Sequence, residues 1–430
     1  MLSSKQHWPV LLMAAFVFAI PAGAGVINVP GNAPTIQGGI ALAQPGDSVL
    51  VAPGTYPEHV QLVSNVSVFG QDAATTIIDG GGAAIDVVRA INISNARFRG
   101  FTVTGAHSGG GLPGGAGVFV NMPTATVVIS DVIARGNDFG IAVFNSFNRQ
   151  GPDILRCTIH NNVFYGISDP GNGLVSSCVI FQNQRGIDQW GNSSRPQIIG
   201  NTIWGNSADG YRYWNDFAPT VRNNIFAANG GYGIREHAPG TFVDPIVEFN
   251  LFWQNTAGNY FDVQSGMTLN TAAQINALAA AENNLVDDPL LCSPPADFHL
   301  CSDSPAIGAG QGGATIGALG VGCGGCATVA VGDALAPSLK MGFSARPNPL
   351  STSTLISFEL EASGRTTLRV YDATGRAVRT LVDGTSGPGA FEVAWDGRAG
   401  NGVRAPAGVY LLALDVDGIQ VNRKVTLLAP

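Results

Sequence analysis

Charge is scarce in this chain. Only 12% of its 430 residues are Asp, Glu, Lys or Arg, against about a quarter in ordinary soluble domains. Lysine is nearly missing, and Lys5, Lys340 and Lys424 are the only three. With a formal net charge of −8 and no basic cluster, the sequence lacks the electrostatic footprint of a nucleic-acid or anionic-membrane partner. Long apolar runs are missing too, apart from the eleven residues Val10 to Ile20, which are too few to span a bilayer. The middle of the chain has no long amphipathic helical stretch, which excludes helical repeats there. Disorder is excluded as well: 45% of residues are hydrophobic, whereas disordered chains combine low hydrophobicity with high net charge.

What is present is a repeat. Between Asp131 and Gly258 one pattern is written six times: an aliphatic residue, an Asn three or four positions on, then a Gly usually followed by Ile. The aliphatic residues are Ile133, Ile159, Ile180, Ile203, Ile225 and Leu251. The glycines are Gly140, Gly166, Gly186, Gly210, Gly233 and Gly258, spaced by 26, 20, 24, 23 and 25 residues. Self-similarity at such a period marks a stacked architecture. Each unit holds two or three short β-branched runs separated by Asn, Gly, Asp and Ser. One unit is therefore one turn of a parallel β-helix, with neighbouring turns about 4.8 Å apart. Gly and Asn are expected to close each turn through positive φ. Equivalent residues of successive turns lie over one another, so the column Asp131, Cys157, Cys178, Asn201, Asn223 is expected to form a ladder.

The flanks carry other signals. Residues 1–24 read as an export signal: Lys5 is the basic start, Val10 to Ile20 the apolar run, and Ala22-Gly-Ala24 a small-residue cleavage site. The mature chain then begins near Gly25, outside the cytoplasm, with no transmembrane segment. Cysteine usage fits that compartment. Cys157 and Cys178 fall at one position of adjacent turns and read as stacked core thiols. Cys292, Cys301, Cys323 and Cys326 read as two disulfides with three pairings open; without a second tight pair or a nearby His they do not read as a metal site. Thr35 to Ala43 is a short capping helix, expected because an open solenoid end exposes strand edges. Thr271 to Ala281 is the strongest helical stretch.

Two resemblances rest on these residues. Ile36-Gln37, Gly46-Asp47-Ser-Val-Leu-Val51-Ala-Pro-Gly54-Thr-Tyr56, Val66-Ser-Val-Phe-Gly70 and Ile77-Ile78-Asp79-Gly80 together resemble the opening of pectate-lyase-like right-handed parallel β-helix proteins. That resemblance implies the fold; the class holds polysaccharide lyases, pectin esterases, glycosidases and proteins with no known reaction. Asp288 to Leu291, Asp297 to Leu300 and Ser304 to Gly320 resemble the closing segment of exported β-helix proteins, expected as the last turn and cap. Residues 327–342 read as a linker. Beyond it, Pro347-Asn-Pro349, Val370-Tyr-Asp-Ala-Thr-Gly375-Arg, Trp395-Asp-Gly397-Arg and Pro406-Ala-Gly-Val-Tyr410 resemble the flagellar-hook-assembly-type Ig-like domain. They are also similar to carboxy-terminal sorting domains of the type IX secretion route. The expectation is all-β: a solenoid over 25–326, then an Ig-like β-sandwich over 343–430 that is handled by the export machinery of a bacterial envelope.

Aligning the turns on their glycines places candidate chemistry. With the residue after Gly inward, alternation turns the second and fourth residues outward. Three adjacent turns then present Asp188 with Trp190, Arg212 with Trp214, and Arg235 with His237. Aromatic rings stack on sugar faces and guanidinium groups take carboxylates or sulfates, so this face is the candidate for binding an acidic polysaccharide. The competing reading is a solvent-exposed Asp188–Arg212 pair worth at most about 1 kcal/mol, with the tryptophans packed under a loop. A lyase of this fold would need a base and a cation. No lysine lies in the solenoid, which leaves Arg212 or Arg235 as base, and Asp169, Asp188 and Glu236 as the few carboxylates for Ca²⁺. A glycosidase would need two facing carboxylates, and Asp188 and Glu236 have opposite strand parity. The sequence thus predicts an exported glycan-binding β-helix needing no cofactor, with a polysaccharide lyase or hydrolase as the alternative.

Overall fold

A computed structural model describes residues 24–109, 114–121, 127–144, 151–190, 194–214, 218–237, 245–326, 343–360, 363–372, 376–416 and 419–428. The expected export signal up to residue 23, the centre of the Gly-rich stretch 108–115, the expected linker 327–342 and part of the 370–376 turn lie outside the described residues. The chain divides into two compact units, Met1–Thr328 and Val329–Pro430.

The first unit is a solenoid of three stacks of strands, eleven, ten and ten strands high. The first stack runs from Val26–Val29 to Ala281–Glu282, the second from Val60–Gln61 to Met267–Leu269, and the third from Gly54–Tyr56 to Leu285–Val286. Rungs are parallel and in register, as in Ile187↔Tyr211 and Ile180↔Ile203; only Met267–Leu269, at one end, is antiparallel. Each turn drops apolar residues from its stacks into the interior. Ile198, Val221 and Val247 come from the first stack, Ile167, Ile187 and Ile234 from the second, and Ile159, Ile180 and Ile203 from the third, all fully buried.

The corners of each turn explain the Asn repeat. From Gly100 to Gln254 each turn has two corner residues in the left-handed region, and most of them are not glycine. One corner takes Asp131, Arg156, Ser177 and Asn223, with φ of 52° to 57°. The other takes Gly136, Asn161, Gln182, Gly205 and Ala228, with φ of 53° to 63°. Such a conformation costs about 1–2 kcal/mol for an L-residue, and here it throws the next side chain inward, in most turns a hydrogen-bonded Asn or Cys. Behind the second corner Asn137, Asn162, Asn183, Asn206, Asn229 and Asn255 form a continuous buried ladder, each amide donating to the next at 2.8–3.3 Å. Behind the first, Asn201, Asn224, Asn250 and Asn284 do the same at 2.9–3.0 Å. Cys157 and Cys178 continue that second ladder as free buried thiols, and the Cys178 amide donates to Asn201 at 2.9 Å. The expected ladder column is thus corrected at two places. Asp131 and Asn223 belong to the corner itself, and the inward residues are Val132 and Asn224.

Five of the six repeat glycines have a different reason from the one expected; Gly258 alone among them stands at positive φ, 139°. Gly140, Gly166, Gly186, Gly210 and Gly233 are not at positive φ; a Cβ at Gly186 would lie 2.5 Å from the Gly210 carbonyl and 2.6 Å from Ile203 Cγ2. They face the interior and leave room for the ladder of the next turn.

At the amino-terminal end a helix, Ile36–Leu42, covers the first turn as expected; Thr35 caps it, and the Glu58 carboxylate accepts from the Ile36 and Gln37 amides at 2.8 and 3.0 Å. The other helix shrinks to Ala272–Ile275. Its Thr271–Gln274 capping box forms, but the residues after it are drawn away so that Ala281–Glu282 can pair with Val247–Glu248. Tertiary pairing overrides propensity there. The closing segment also differs from expectation. Rather than making a last turn, residues 288–326 lie along the outside of the third stack, with the Phe298 ring 4.8 Å from Phe181 and 5.7 Å from Trp204. Backbone amides of Gln311 and Ala318 reach Asn223 and Thr202, both at 3.0 Å. Disulfides Cys292–Cys323 and Cys301–Cys326 tie this strap to itself, which resolves the pairing and occupies the one group of metal-competent side chains found among the described residues.

The second unit is an antiparallel sandwich. Ser344–Arg346, Thr354–Leu360 and Gly389–Trp395 form one sheet; Ala377–Ser386, Gly364–Asp372, Gly408–Val416 and Ile419–Leu427 form the other. Trp395, fully buried, anchors the core, and its indole donates to the Arg398 carbonyl at 3.0 Å. The Tyr410 hydroxyl donates to the Pro406 carbonyl at 2.6 Å. Two of the sequence motifs, Trp-Asp-Gly-Arg and Pro-Ala-Gly-Val-Tyr, are therefore structural clasps.

Candidate functional site

The outward face of the second stack gathers most of the predicted residues. Register places Asp188, Arg212 and Arg235 in one column across three turns. Asp188 and Arg212 form a two-pronged pair, Oδ1–Nε 2.6 Å and Oδ2–Nη2 3.0 Å. The pair is partly buried, with side-chain exposures of 1% and 13%. Burial pulls the Arg212 pKa down, but the hydrogen bond and charge of Asp188 more than offset it and hold it above the ordinary value. The Arg212 guanidinium also lies over the Trp214 ring at 5.5 Å.

The aromatic column runs beside this pair. Trp190 and Trp214 remain 41% and 37% exposed, so they are not packed away under the described residues. Trp190 donates its indole N–H to Ser168 at 3.1 Å and meets the Phe144 ring at 6.2 Å. Trp214 contacts the His237 ring at 3.7 Å. Desolvation, then the neighbouring Arg212 and Arg235, lower the His237 pKa, which favours the neutral ring. Phe139, Phe144, Tyr165, Ser168, Asp188, Trp190, Arg212 and Trp214 together line an open depression of about 360 Å³.

Two predicted residues lie on the other side of the sheet. Asp169 is buried, and its charge is one of the causes that raise the pKa of the interior Tyr211, after burial itself. Glu236 points into the solenoid, where it accepts from the Tyr213 hydroxyl at 2.8 Å, from the Tyr260 hydroxyl, and from the Val263 amide at 3.1 Å. Asp188 and Glu236 therefore do not face each other across a groove, and Asp169, Asp188 and Glu236 do not converge on one point as ligands of a cation. The opposite parity read from the sequence accounts for this arrangement.

Desolvation raises the Glu236 pKa above the usual carboxylate range, with Asp262 adding to it and the three hydrogen bonds only partly opposing it. A carboxyl whose folded pKa is raised binds its proton more tightly in the fold than in the unfolded chain. Its contribution to stability is complete below the ordinary Glu pKa of about 4.3 and is lost as pH rises through the folded value. Urea unfolding at pH 5 and pH 8 is expected to show a smaller loss of stability with rising pH in Glu236→Gln than in the parent. Equal slopes in the two chains would rule out this role.

Alignment on the glycines missed a second outward column. Because Gly and the residue after it both face inward, the residue before Gly is put outside: Phe139, Tyr165, Arg185, Asp209 and Tyr232. Arg185 donates to the Tyr165 hydroxyl at 3.3 Å and lies 3.5 Å from Asp209; Arg235 reaches the same Asp209 oxygen at 3.9 Å. Arg235 also lies over the neighbouring Tyr232 and Phe261 rings, 5.6 and 5.9 Å away. A strict two-residue alternation would place this column inside; the break at Gly is its only sequence signal.

This architecture is that of a parallel β-solenoid with an appended β-sandwich. The family described as right handed beta helix region matches residues 62–203 and again 154–274, and the FlgD Ig-like domain matches residues 349–417. The chain is a right-handed parallel β-helix protein with a carboxy-terminal FlgD-type Ig-like domain. No curated protein matches it. Among solved structures it is similar to dimeric latent PorU from Porphyromonas gingivalis, with 23% identity, covering 20% of this chain and 9% of that one, TM-score 0.19. It is similar to the A-module of mannuronan C-5 epimerase AlgE4 from Azotobacter vinelandii, with 15% identity, 56% and 78% covered, TM-score 0.35. It is also similar to pectin methylesterase PemA from Erwinia chrysanthemi, with 13% identity, 61% and 89% covered, TM-score 0.31. No helix among the described residues is long and apolar enough to cross a membrane.

Proposed function

We propose that the protein is exported and holds an extracellular or cell-surface polysaccharide along the outer face of its second stack, without turning it over. The observation that carries this reading is the pair of exposed indoles, Trp190 and Trp214, on successive turns beside the pinned Arg212. Their rings offer apolar faces at the solenoid repeat of about 4.8 Å, and Arg212 and Arg235 offer donors to acidic or hydroxyl groups. Binding is favoured over catalysis because Asp188 is tied up in its ion pair and Glu236 is turned inside. Under this reading the Ig-like unit engages the envelope export machinery, in keeping with its motifs, and the leader before Gly25 is removed.

The test is incubation of the processed protein with polyuronides and sulfated glycans, with and without Ca²⁺, reading both retention and products. Retention without products is expected, and Trp190→Ala or Trp214→Ala should each weaken it about tenfold, the loss typical of an aromatic anchor. Unsaturated or reducing-end products that vanish in Arg235→Ala would overturn the binding reading in favour of a lyase or hydrolase. No retention of any glycan would overturn both.

A further inference from the structure

Gly25, the residue that follows the expected export signal, meets a carboxylate. The Gly25 backbone nitrogen lies 2.5 Å from Asp47 Oδ1, and the other Asp47 oxygen accepts from the Gln44 amide at 2.8 Å. The Gly25 carbonyl accepts from the Ser48 amide at 3.0 Å, which begins the rung between Val26–Val29 and Ser48–Val51. A Cβ at position 25 would sit 2.9 Å from Asp47 Oδ1, so the carboxylate packs closely against this end of the chain. The contact closes the open end of the first stack, where a solenoid has a neighbour on one side only.

We propose that Asp47 is the receptor for the new amino terminus created when the Ala24–Gly25 bond is cut, so that processing itself locks the first turn. The inference rests on the export reading above. In the cut, water adds across the peptide bond; the C–N bond breaks, Ala24 leaves as a carboxylate on the leader, and Gly25 keeps the nitrogen as an ammonium group. A nitrogen that was a neutral amide with one N–H becomes a cation with three. The hydrogen bond to Asp47 becomes a charge-assisted ion pair, roughly twice as strong as a neutral one. Unprocessed chain carries the same backbone and the same Asp47 but lacks that charge. The first rung is therefore looser before export than after it, and the difference falls at the end from which a solenoid frays.

Two measurements separate this inference from the reading it rests on. Intact mass of the full chain secreted by a bacterial host is expected to begin at Gly25; an uncut leader, or a cut elsewhere, overturns the processing on which both depend. Full-length chain beginning at Gly25 is then compared with the same chain acetylated at its α-amine, by hydrogen exchange of the segments 26–29 and 48–52. Acetylation is expected to speed exchange there about fivefold, the factor that corresponds to about 1 kcal/mol. Asp47→Asn should have the same effect on the free-amine chain, and acetylation should add nothing further to Asp47→Asn. Unchanged exchange on acetylation, or an equal acetylation effect in Asp47→Asn, overturns the ion pair even if the mass is as expected.

Discussion

Asn206→Leu is expected to destabilise the solenoid by about 4 kcal/mol or to prevent folding, although leucine fills nearly the same space. The Asn206 carbonyl oxygen accepts from both the backbone and the side-chain amide of Asn183, each at 3.1 Å. Its own amide donates to the Ile180 carbonyl at 3.2 Å and to Asn229 at 3.0 Å. Asn206 is 1% exposed and Asn183 2%, so water cannot replace these partners. Each buried polar group left without a partner costs about 1–3 kcal/mol; the Asn183 backbone N–H is left so and the Ile180 carbonyl loses the Asn206 donor, while the Asn183 side-chain amide keeps the Ile159 and Phe181 carbonyls at 3.1 Å. A neutral pair swapped for an apolar one can be nearly free, but a ladder has no such swap, because every rung is both donor and acceptor. Thermal and urea unfolding measure the effect. A loss below about 1 kcal/mol would mean that the ladder is incidental to stability.

The same residues show what could be read in advance. The spacing of Asn and Gly fixed the solenoid, because one residue per turn must return to the same place at every turn. Parity along a strand then put Asp188, Arg212 and Trp214 together and set Glu236 on the opposite side. It failed where the backbone leaves strict alternation. Gly186 and Ile187 both face inward, so Arg185, left unassigned by alignment on the glycines, emerges beside Tyr165. The strap over Phe181 and Trp204 was also invisible. An aromatic residue on an outward strand position looks the same in sequence whether it meets solvent, a ligand or residues more than a hundred positions on. Asn223 and Asn224 differ only in backbone dihedral: one takes the corner with φ 57° and the other the ladder. No side-chain property distinguishes two neighbouring asparagines.

Gly186→Ala is the second change with a large expected effect, and it separates the two kinds of glycine in the repeat. Its Cβ would fall 2.5 Å from the Gly210 carbonyl oxygen, 2.6 Å from Ile203 Cγ2 and 3.1 Å from the Asn206 side-chain nitrogen. Two of those atoms belong to the next turn's backbone and to the ladder, so neither can swing aside. The turn itself must shift, at about 3 kcal/mol, the upper end of overpacking penalties. Gly205 provides the contrast. It sits at a corner with φ 61° and nothing within 4 Å of an added Cβ, and the equivalent positions hold Asn161, Gln182 and Ala228. Gly205→Ala should therefore cost only about 1 kcal/mol, the ordinary strain of that region. The functional consequence differs as well. Gly186 immediately precedes the strand segment that aims Asp188 and Trp190, so any folded Gly186→Ala protein should also bind glycan about tenfold more weakly, as if Trp190 had been lost. Gly205→Ala should bind as the parent does. A Gly186→Ala chain of parental stability, or a Gly205→Ala chain that loses more than it, would show that positive φ rather than interior space is what the repeat glycines provide.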